Sequence, residues 1–269
     1  MLTRVWGIVR SLVIYHGQPG KHRRLVRFYG QFLGPGDVGF DIGAHVGSRV
    51  RAWRRLGARV VAVEPQPDCL RVLRLLFGRD RDVTIVPAAV GATPGTASLV
   101  VSTRTPTVST MSRDWIEEVR TDRSFAPVRW DRSLPVEVTT MDALIATHGE
   151  PAFCKVDVEG FEADVLAGLS RPLRALSFEY LPMAHEAALR VLGQVEALGD
   201  YEYNYSRLET MRWASDTWLP ASGLVRLLGE VRPDGRPGDV YARLRRHGSA
   251  EGGEEAVAEG VHPPDRGGR

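Results

Sequence analysis

From about Gly36 onward, short apolar runs alternate with stretches of helical periodicity, and this alternation limits the fold more than any other feature of the chain. Strands this short and this apolar are covered on both faces, and parallel neighbours need a crossover helix between them. Residues 38–42 read as a strand. Residues 48–56 read as a helix with Val50, Trp53 and Leu56 on one face and Gly57 as its left-handed stop. A second strand at 60–63 leads to a helix that opens at Pro67 and Asp68 and runs through Leu70, Leu73, Leu76 and Phe77 to Gly78. A third strand follows at 83–86. Further strands are predicted at 96–101, 136–139, 153–156, 176–178, 201–205 and 240–244, with helices at 141–147, 162–169 and 184–198. The expected fold class is α/β, a doubly wound, mostly parallel sheet.

Two segments break the rhythm. Residues 102–134 are polar, carry Trp115 and Trp130, and are too long for a plain connection, so they read as an insertion that forms a lid or substrate wall. Residues 248–269 are rich in Gly, Glu and Pro without apolar periodicity and read as a disordered tail. Ahead of the main domain, 31–247, residues 1–30 form an amphipathic helical segment. Its apolar Leu2, Val5, Trp6, Ile8, Val9, Leu12, Val13 and Ile14 are interrupted by Arg4 and Arg10, and it falls short of the roughly 20 residues a membrane span needs. Packing on the main domain is its expected role, and peripheral membrane contact by residues 2–14 is the alternative. No signal-peptide cleavage pattern follows it.

Composition excludes several partner classes. The 269 residues carry a formal charge of only +2, and the arginines are interspersed with acids, so no nucleic-acid footprint is expected. Lysine occurs only at Lys21 and Lys155. Cys69 and Cys154 fall within a helix and a strand and read as buried free thiols in a reducing, cytoplasmic setting.

Chemistry is concentrated in three places. In the strand-to-helix turn Asp41-Ile42-Gly43-Ala44-His45-Val46-Gly47 a carboxylate closes the first strand and glycines admit a ligand close to the backbone. Glu64 ends the second strand 23 residues later, where doubly wound folds place an acceptor for two ribose hydroxyls. The following Pro65-Gln66-Pro67 turns the chain outward. In Lys155-Val156-Asp157-Val158-Glu159-Gly160, strand alternation sends Lys155, Asp157 and Glu159 to one side near a strand end.

These residues resemble the FkbM family of methyltransferases. DIGAHVG, VEPQP, PAAVG, TTMDAL, KVDVEGFEADVLAG and SFEY occur in family order over roughly residues 36–180, more than half the chain. The resemblance implies a Rossmann-like class I methyltransferase fold with S-adenosyl-L-methionine as donor. It implies that Asp41, Gly43, Ala44, His45 and Gly47 surround the methionine and ribose end, that Glu64 and Pro65 meet the ribose, and that residues 87–90, including Ala88 and Ala89, border the adenine. His45 stands where the general methyltransferase pattern has glycine, and no acid ends the third strand to meet the adenine amino group.

The expected reaction is O-methylation of a small-molecule hydroxyl, with nitrogen acceptors left open. Such a displacement depends mainly on alignment, and a nearby base takes up the hydroxyl proton. Asp157 is the first candidate base, with Lys155 beside it to keep it ionised, and Glu159 is the second. His45 is the imidazole candidate in the turn, while His185 reads as a helix-start residue. Asp142, Asp157 and Glu159 show no dedicated ligand spacing, and no metal is predicted. The alternative from another class is an NAD(P)-dependent oxidoreductase on the same sheet. The turn is not G-x-G-x-x-G, and a carboxylate before its glycines would face a pyrophosphate unfavourably.

Overall fold

The computed structural model describes residues 2–120, 122, 125–232 and 235–245. The expected tail, 248–269, lies outside the described residues. Ten strands are formed among the described residues: β1 (Val38–Ile42), β2 (Arg59–Val63), β3 (Val83–Val86), β4 (Ala89–Val90), β5 (Gly95–Val101), β6 (Arg132–Thr139), β7 (Phe153–Val156), β8 (Ala175–Tyr180), β9 (Tyr201–Arg207) and β10 (Gly238–Leu244). The helices are α1 (Leu2–His16), α2 (Lys21–Tyr29), α3 (Ser48–Arg55), α4 (Pro67–Phe77), α5 (Arg113–Val119), α6 (Met141–His148), α7 (Glu162–Ala167), α8 (His185–Leu198) and α9 (Ala221–Gly229).

Seven strands form one sheet in the order β3-β2-β1-β7-β8-β10-β9. The β3, β2, β1, β7 and β8 strands run parallel, and β10 runs antiparallel to both β8 and β9. The winding direction reverses between β1 and β7, so the crevice outside their carboxyl ends is the place where such a sheet receives a ligand. The expected doubly wound, Rossmann-like sheet is therefore present.

Alternation along the strands sorts side chains into two cores. Phe40 and Ile42, with Val61, Val63, Cys154, Val156, Leu176 and Phe178, face α6 to α9. On the opposite face Val60, Ala62, Phe153, Ala175 and Tyr241 meet α2, α3 and α4 through Leu25, Phe28, Tyr29, Val50, Trp53, Leu73 and Phe77. Phe153 is fully buried there, stacked on Phe32 at 4.6 Å between ring centres. Burying a side chain of that kind stabilises the fold by about 1.5–3 kcal/mol. The α2 helix was not read from the sequence as a separate helix, because Lys21, His22, Arg23, Arg24 and Arg27 mask the apolar stripe of Leu25, Phe28 and Tyr29 that it buries.

The strands read at 96–101 and 136–139 do not join the main sheet. They pair antiparallel as β5 and β6, with β4 added parallel to β6, in a separate three-stranded sheet. Their alternating exposure explains the separation, since a strand with one wet face does not fit a sheet covered on both sides. The segment 102–134 is the link between β5 and β6. It contains a 3-10 turn at Pro106–Val108 and α5, whose cap Ser112 accepts the N–H of Trp115 at 3.1 Å. Trp115, Ile116 and Val119 pack with Leu181 and Ala184, and Trp130 donates its indole N–H to the Val108 carbonyl. Both tryptophans fix this segment on the domain.

Candidate functional site

The glycine turn is held by β2 on one side and by the turn after β7 on the other. The N–H groups of Gly43 and Ala44 both donate to the Val63 carbonyl, at 2.9 and 3.0 Å. Gly43 has φ +82°, and a Cβ there would lie 1.9 Å from the Asp157 carbonyl oxygen, so the two turns touch and only glycine fits between them. Gly47 does not line the cavity; its own φ of +78° turns the chain into α3 against Leu73 and Phe77. His45 is in the left-handed region at φ +49°, a conformation costing on the order of 1 kcal/mol or more for a non-glycine residue. That conformation aims its N–H at Glu64 Oε2, 2.8 Å away.

Glu64 is buried with each oxygen accepting one backbone N–H, Oε2 from His45 and Oε1 from Gln66 at 2.8 Å. Burial pushes its carboxyl up to about 7, and those two N–H groups pull the other way. Burial likewise pushes Asp41 up to about 6 against the pull of Arg49 and Lys155, and Asp41 Oδ2 is buried with no hydrogen-bond partner. The His45 imidazole is driven down to about 4 by burial, so it is neutral. Its Nε2 is buried without a partner, and its ring meets Tyr15 of α1 edge-on at 5.3 Å.

A cavity opens here between the two turns. Gly43, His45, Glu64, Pro65, Ala88 and Ala89 line one side of it, Pro106, Thr110 and Met111 come from the second sheet and its link, and Asp157 and Glu159 close the far end. A smaller hollow continues from that end between Tyr15, Ala44, His45, Arg49, Asp157 and Glu159. Asp41 and Lys155 stand behind these walls.

The charged end follows from strand register. Asp41 pairs with Lys155, Lys155 with Ser177, and Ser177 with Tyr241, which makes a buried row across the face toward α3. Two residues further toward the ligand edge come Asp157, Glu179 and Asp239, Glu179 being paired with Asp239. Lys155 is fully buried, with its Nζ 2.7 Å from Asp239 and 3.2 Å from Asp157. Burial opposes its charge, and the Asp157 and Asp239 carboxylates more than reverse that, holding the ammonium above its ordinary value. Asp157 is pulled up by burial but held below its ordinary range by Lys155 and by Arg49, whose guanidinium is 3.8 Å away. Arg49 also pairs with Glu209 at 3.3 Å, and Glu209 pairs with Lys21.

β7 ends at Val156, so Asp157 and Glu159 belong to the turn beyond it, and the alternation expected for Lys155, Asp157 and Glu159 stops at Asp157. Glu159 has φ +54°, and its carbonyl accepts the Thr110 hydroxyl at 2.6 Å, which ties the turn to the second sheet. Glu159 and Glu179 are both pushed well above their ordinary values, by burial first and then by neighbouring carboxylates. Asp157, Glu159 and Glu179 are the one grouping among the described residues whose ligand atoms lie within 4.8 Å of one another, a spacing a hard cation could use. Asp142 is elsewhere, accepting the Ser170 N–H at 3.0 Å. His185 opens α8 and contacts the Tyr180 hydroxyl at 3.2 Å, away from the cavity.

Sequence reasoning missed Glu179, Arg49, Tyr15, Gln66 and Glu209. Glu179 carried a usable signal, because Ser177-Phe178-Glu179 at a strand end repeats the spacing of Lys155-Val156-Asp157. Glu209 and Tyr15 carried none, since only the tertiary fold brings them to the turn.

Asp41 Oδ2, buried and unpaired, and the carboxyl of Glu64 at the cavity wall suit a ligand that brings a positive charge and hydroxyl donors. No curated protein matches the chain in sequence. Among solved structures the chain is similar to a precorrin-6Y C5,15-methyltransferase from Geobacter metallireducens, at 14% identity over 82% of this chain and 87% of that one, TM-score 0.44. It is similar to an O-methyltransferase from Bacillus cereus in complex with SAH, at 12% identity over 89% and 90%, TM-score 0.43. It is also similar to Aeropyrum pernix fibrillarin with natively bound S-adenosyl-L-methionine, at 12% over 78% and 67%, TM-score 0.41. These are likenesses of shape alone. Residues 41–204, which hold the turn, Glu64, Asp157 and Glu179, match the methyltransferase FkbM domain over more than half of the chain, and the protein therefore belongs to the FkbM family of S-adenosylmethionine-dependent methyltransferases.

Proposed function

We propose that this methyltransferase carries a methyl group to a hydroxyl oxygen of a small molecule that enters at the Asp157 end of the cavity. The bound donor supplies an electrophilic methyl on a sulfonium. Glu64 accepts the ribose hydroxyls, for which two N–H groups have already oriented its oxygens, and Pro65, Ala88 and Ala89 border the adenosine. Gly43, Ala44 and His45 form the wall at the methionine end, with the buried Asp41 behind it.

The carrying observation is the ionised Asp157 between Lys155 and Arg49, where the cavity meets the smaller hollow. An alcohol must lose its proton as the new C–O bond forms, and Asp157 is free of its own proton at any working pH, so it serves as general base. Glu159 and Glu179 retain protons in the empty site and donate hydrogen bonds that orient the acceptor. Lys155 acts through Asp157 as a positioning residue, and neutral His45 faces the same space. No metal is assigned to the carboxylate trio, because the two cations beside Asp157 would repel a third. The segment 102–134 walls the acceptor side of the domain. The buried free thiols of Cys69 and Cys154 support a cytoplasmic setting.

Paired alcohol and amine acceptors with labelled donor test this reading. Transfer to the alcohol is expected, with kcat falling roughly 10²- to 10⁴-fold in Asp157→Asn while S-adenosylhomocysteine still binds. Preference for the amine, or full turnover by the variant, would sink it.

A further inference from the structure

The α1 helix is packed the wrong way round for a helix in water. Besides Tyr15 on His45, it meets the domain through small and polar residues: buried Gly7, where a Cβ would lie 2.8 Å from the Thr103 carbonyl, buried Ser11, and His16, whose Nε2 contacts the Val46 carbonyl at 2.9 Å. Four of its large apolar residues point outward, with Trp6 63%, Val9 43%, Val13 62% and Ile14 37% exposed, while Ile8 and Leu12 are half-buried. Positions 6, 9, 13 and 14 share one helix face. A surface helix ordinarily turns that face to the core, so this stripe awaits an apolar contact.

Charge identifies the contact. Residues 1–36 contain six Lys or Arg and no Asp or Glu, so the remainder of the chain is net acidic. Arg23, Arg24 and Arg27 of α2 and Arg51 of α3 are exposed and form no ion pair among the described residues. The Lys21 ammonium that opens α2 lies over the Tyr15 ring at 4.5 Å and reaches the Ile14 carbonyl at 3.5 Å, which places the start of this basic helix beside the end of α1. We propose that α1 and these arginines form a docking surface for an anionic lipid bilayer, with α1 lying in the headgroup plane. An apolar stripe bearing tryptophan and flanked by arginines is the pattern of an interfacial helix. A second copy fits less well, since a two-fold contact would bring like charges together. Nucleic acid would satisfy the arginines and leave the stripe in water.

Docking has a consequence for the site. Tyr15, on the same helix, lines the hollow that contains Asp157 and Glu159, so a docked α1 sets the rim of that hollow beside the bilayer. The docking surface itself does not depend on the identity of the acceptor.

The test is co-sedimentation of the full chain with vesicles of phosphatidylcholine alone or mixed with phosphatidylglycerol, at low and high salt. Binding to the anionic vesicles is expected, weaker by roughly tenfold or more on neutral ones, and reversed by salt. Val13→Asp and Arg23→Glu with Arg24→Glu should each cut binding roughly tenfold or more, with S-adenosylhomocysteine affinity unchanged as proof of folding. Failure to sediment with anionic vesicles, equal binding to neutral ones, or indifference to Val13→Asp would overturn the proposal. So would a dimer in light scattering that Val13→Asp dissolves without any vesicle binding, which would give the stripe to a second copy.

Discussion

The two ends of the cavity hold their carboxylates in different ways. At the Glu64 end the partners are backbone N–H groups from residues 45 and 66, close in sequence and fixed by the turn itself. Among the described residues no cation pairs with Glu64, and burial raises its carboxyl to about 7. At the Asp157 end the partners are side-chain cations, Lys155 and Arg49, and these are steadied in turn by Asp239 and Glu209, from strands and loops far along the chain. That carboxylate stays ionised. One end thus offers a carboxyl held by backbone N–H groups alone, and the other a carboxylate kept charged by side-chain cations.

The largest effect that would break this contrast is at Lys155. Lys155→Met leaves Asp157 and Asp239 facing each other without their shared cation, and chemical denaturation should report a loss of about 3–5 kcal/mol. An unchanged midpoint would mean that Arg49 alone holds the acceptor end. Next comes Gly43→Ala, which forces a Cβ onto the Asp157 carbonyl at a positive φ and pushes the two turns apart. A stability loss of about 1–3 kcal/mol is expected, together with weaker binding of the donor and slower turnover, because the same glycine separates both ends. A variant that weakens only one of the two functions would show that they are independent.

The smallest effect sharpens the contrast. Two hydroxyl donors favour the ionised form of Glu64, whose carboxyl in the empty site sits near 7. Below that value binding must expel a proton, so affinity for S-adenosylhomocysteine should rise with pH by at most about tenfold per unit and level off above about 7. Glu64→Gln should flatten that slope in calorimetry. Asp157, already ionised, should contribute nothing to it.

The same contrast explains what was legible in the sequence. The β1-α3-β2-α4 order, the turn and Glu64 follow from local signals: apolar runs, glycines with positive φ, and prolines that stop a strand. The boundaries of β1, β3 and β7 match the residues expected from their apolar runs. The acceptor end is assembled from α1, α3, β8, β10 and the loop holding Glu209, and only register and packing unite them. Asp157 and Lys155 were visible because they share one strand end. Arg49 looked like one more arginine on a basic helix. The separate sheet of β4, β5 and β6 was hidden for another reason, since alternation in β5 and β6 marks a half-exposed strand without saying which sheet it joins.

The most direct test is calorimetric titration of the purified chain and of Glu64→Ala with S-adenosylhomocysteine and with NADH. Binding in the micromolar range, about −8 kcal/mol, is expected for the adenosyl ligand on the natural chain, with none for NADH and a loss of roughly tenfold or more in the variant. Equal binding by Glu64→Ala, or binding of NADH in place of the adenosyl ligand, would contradict the assignment of this cavity.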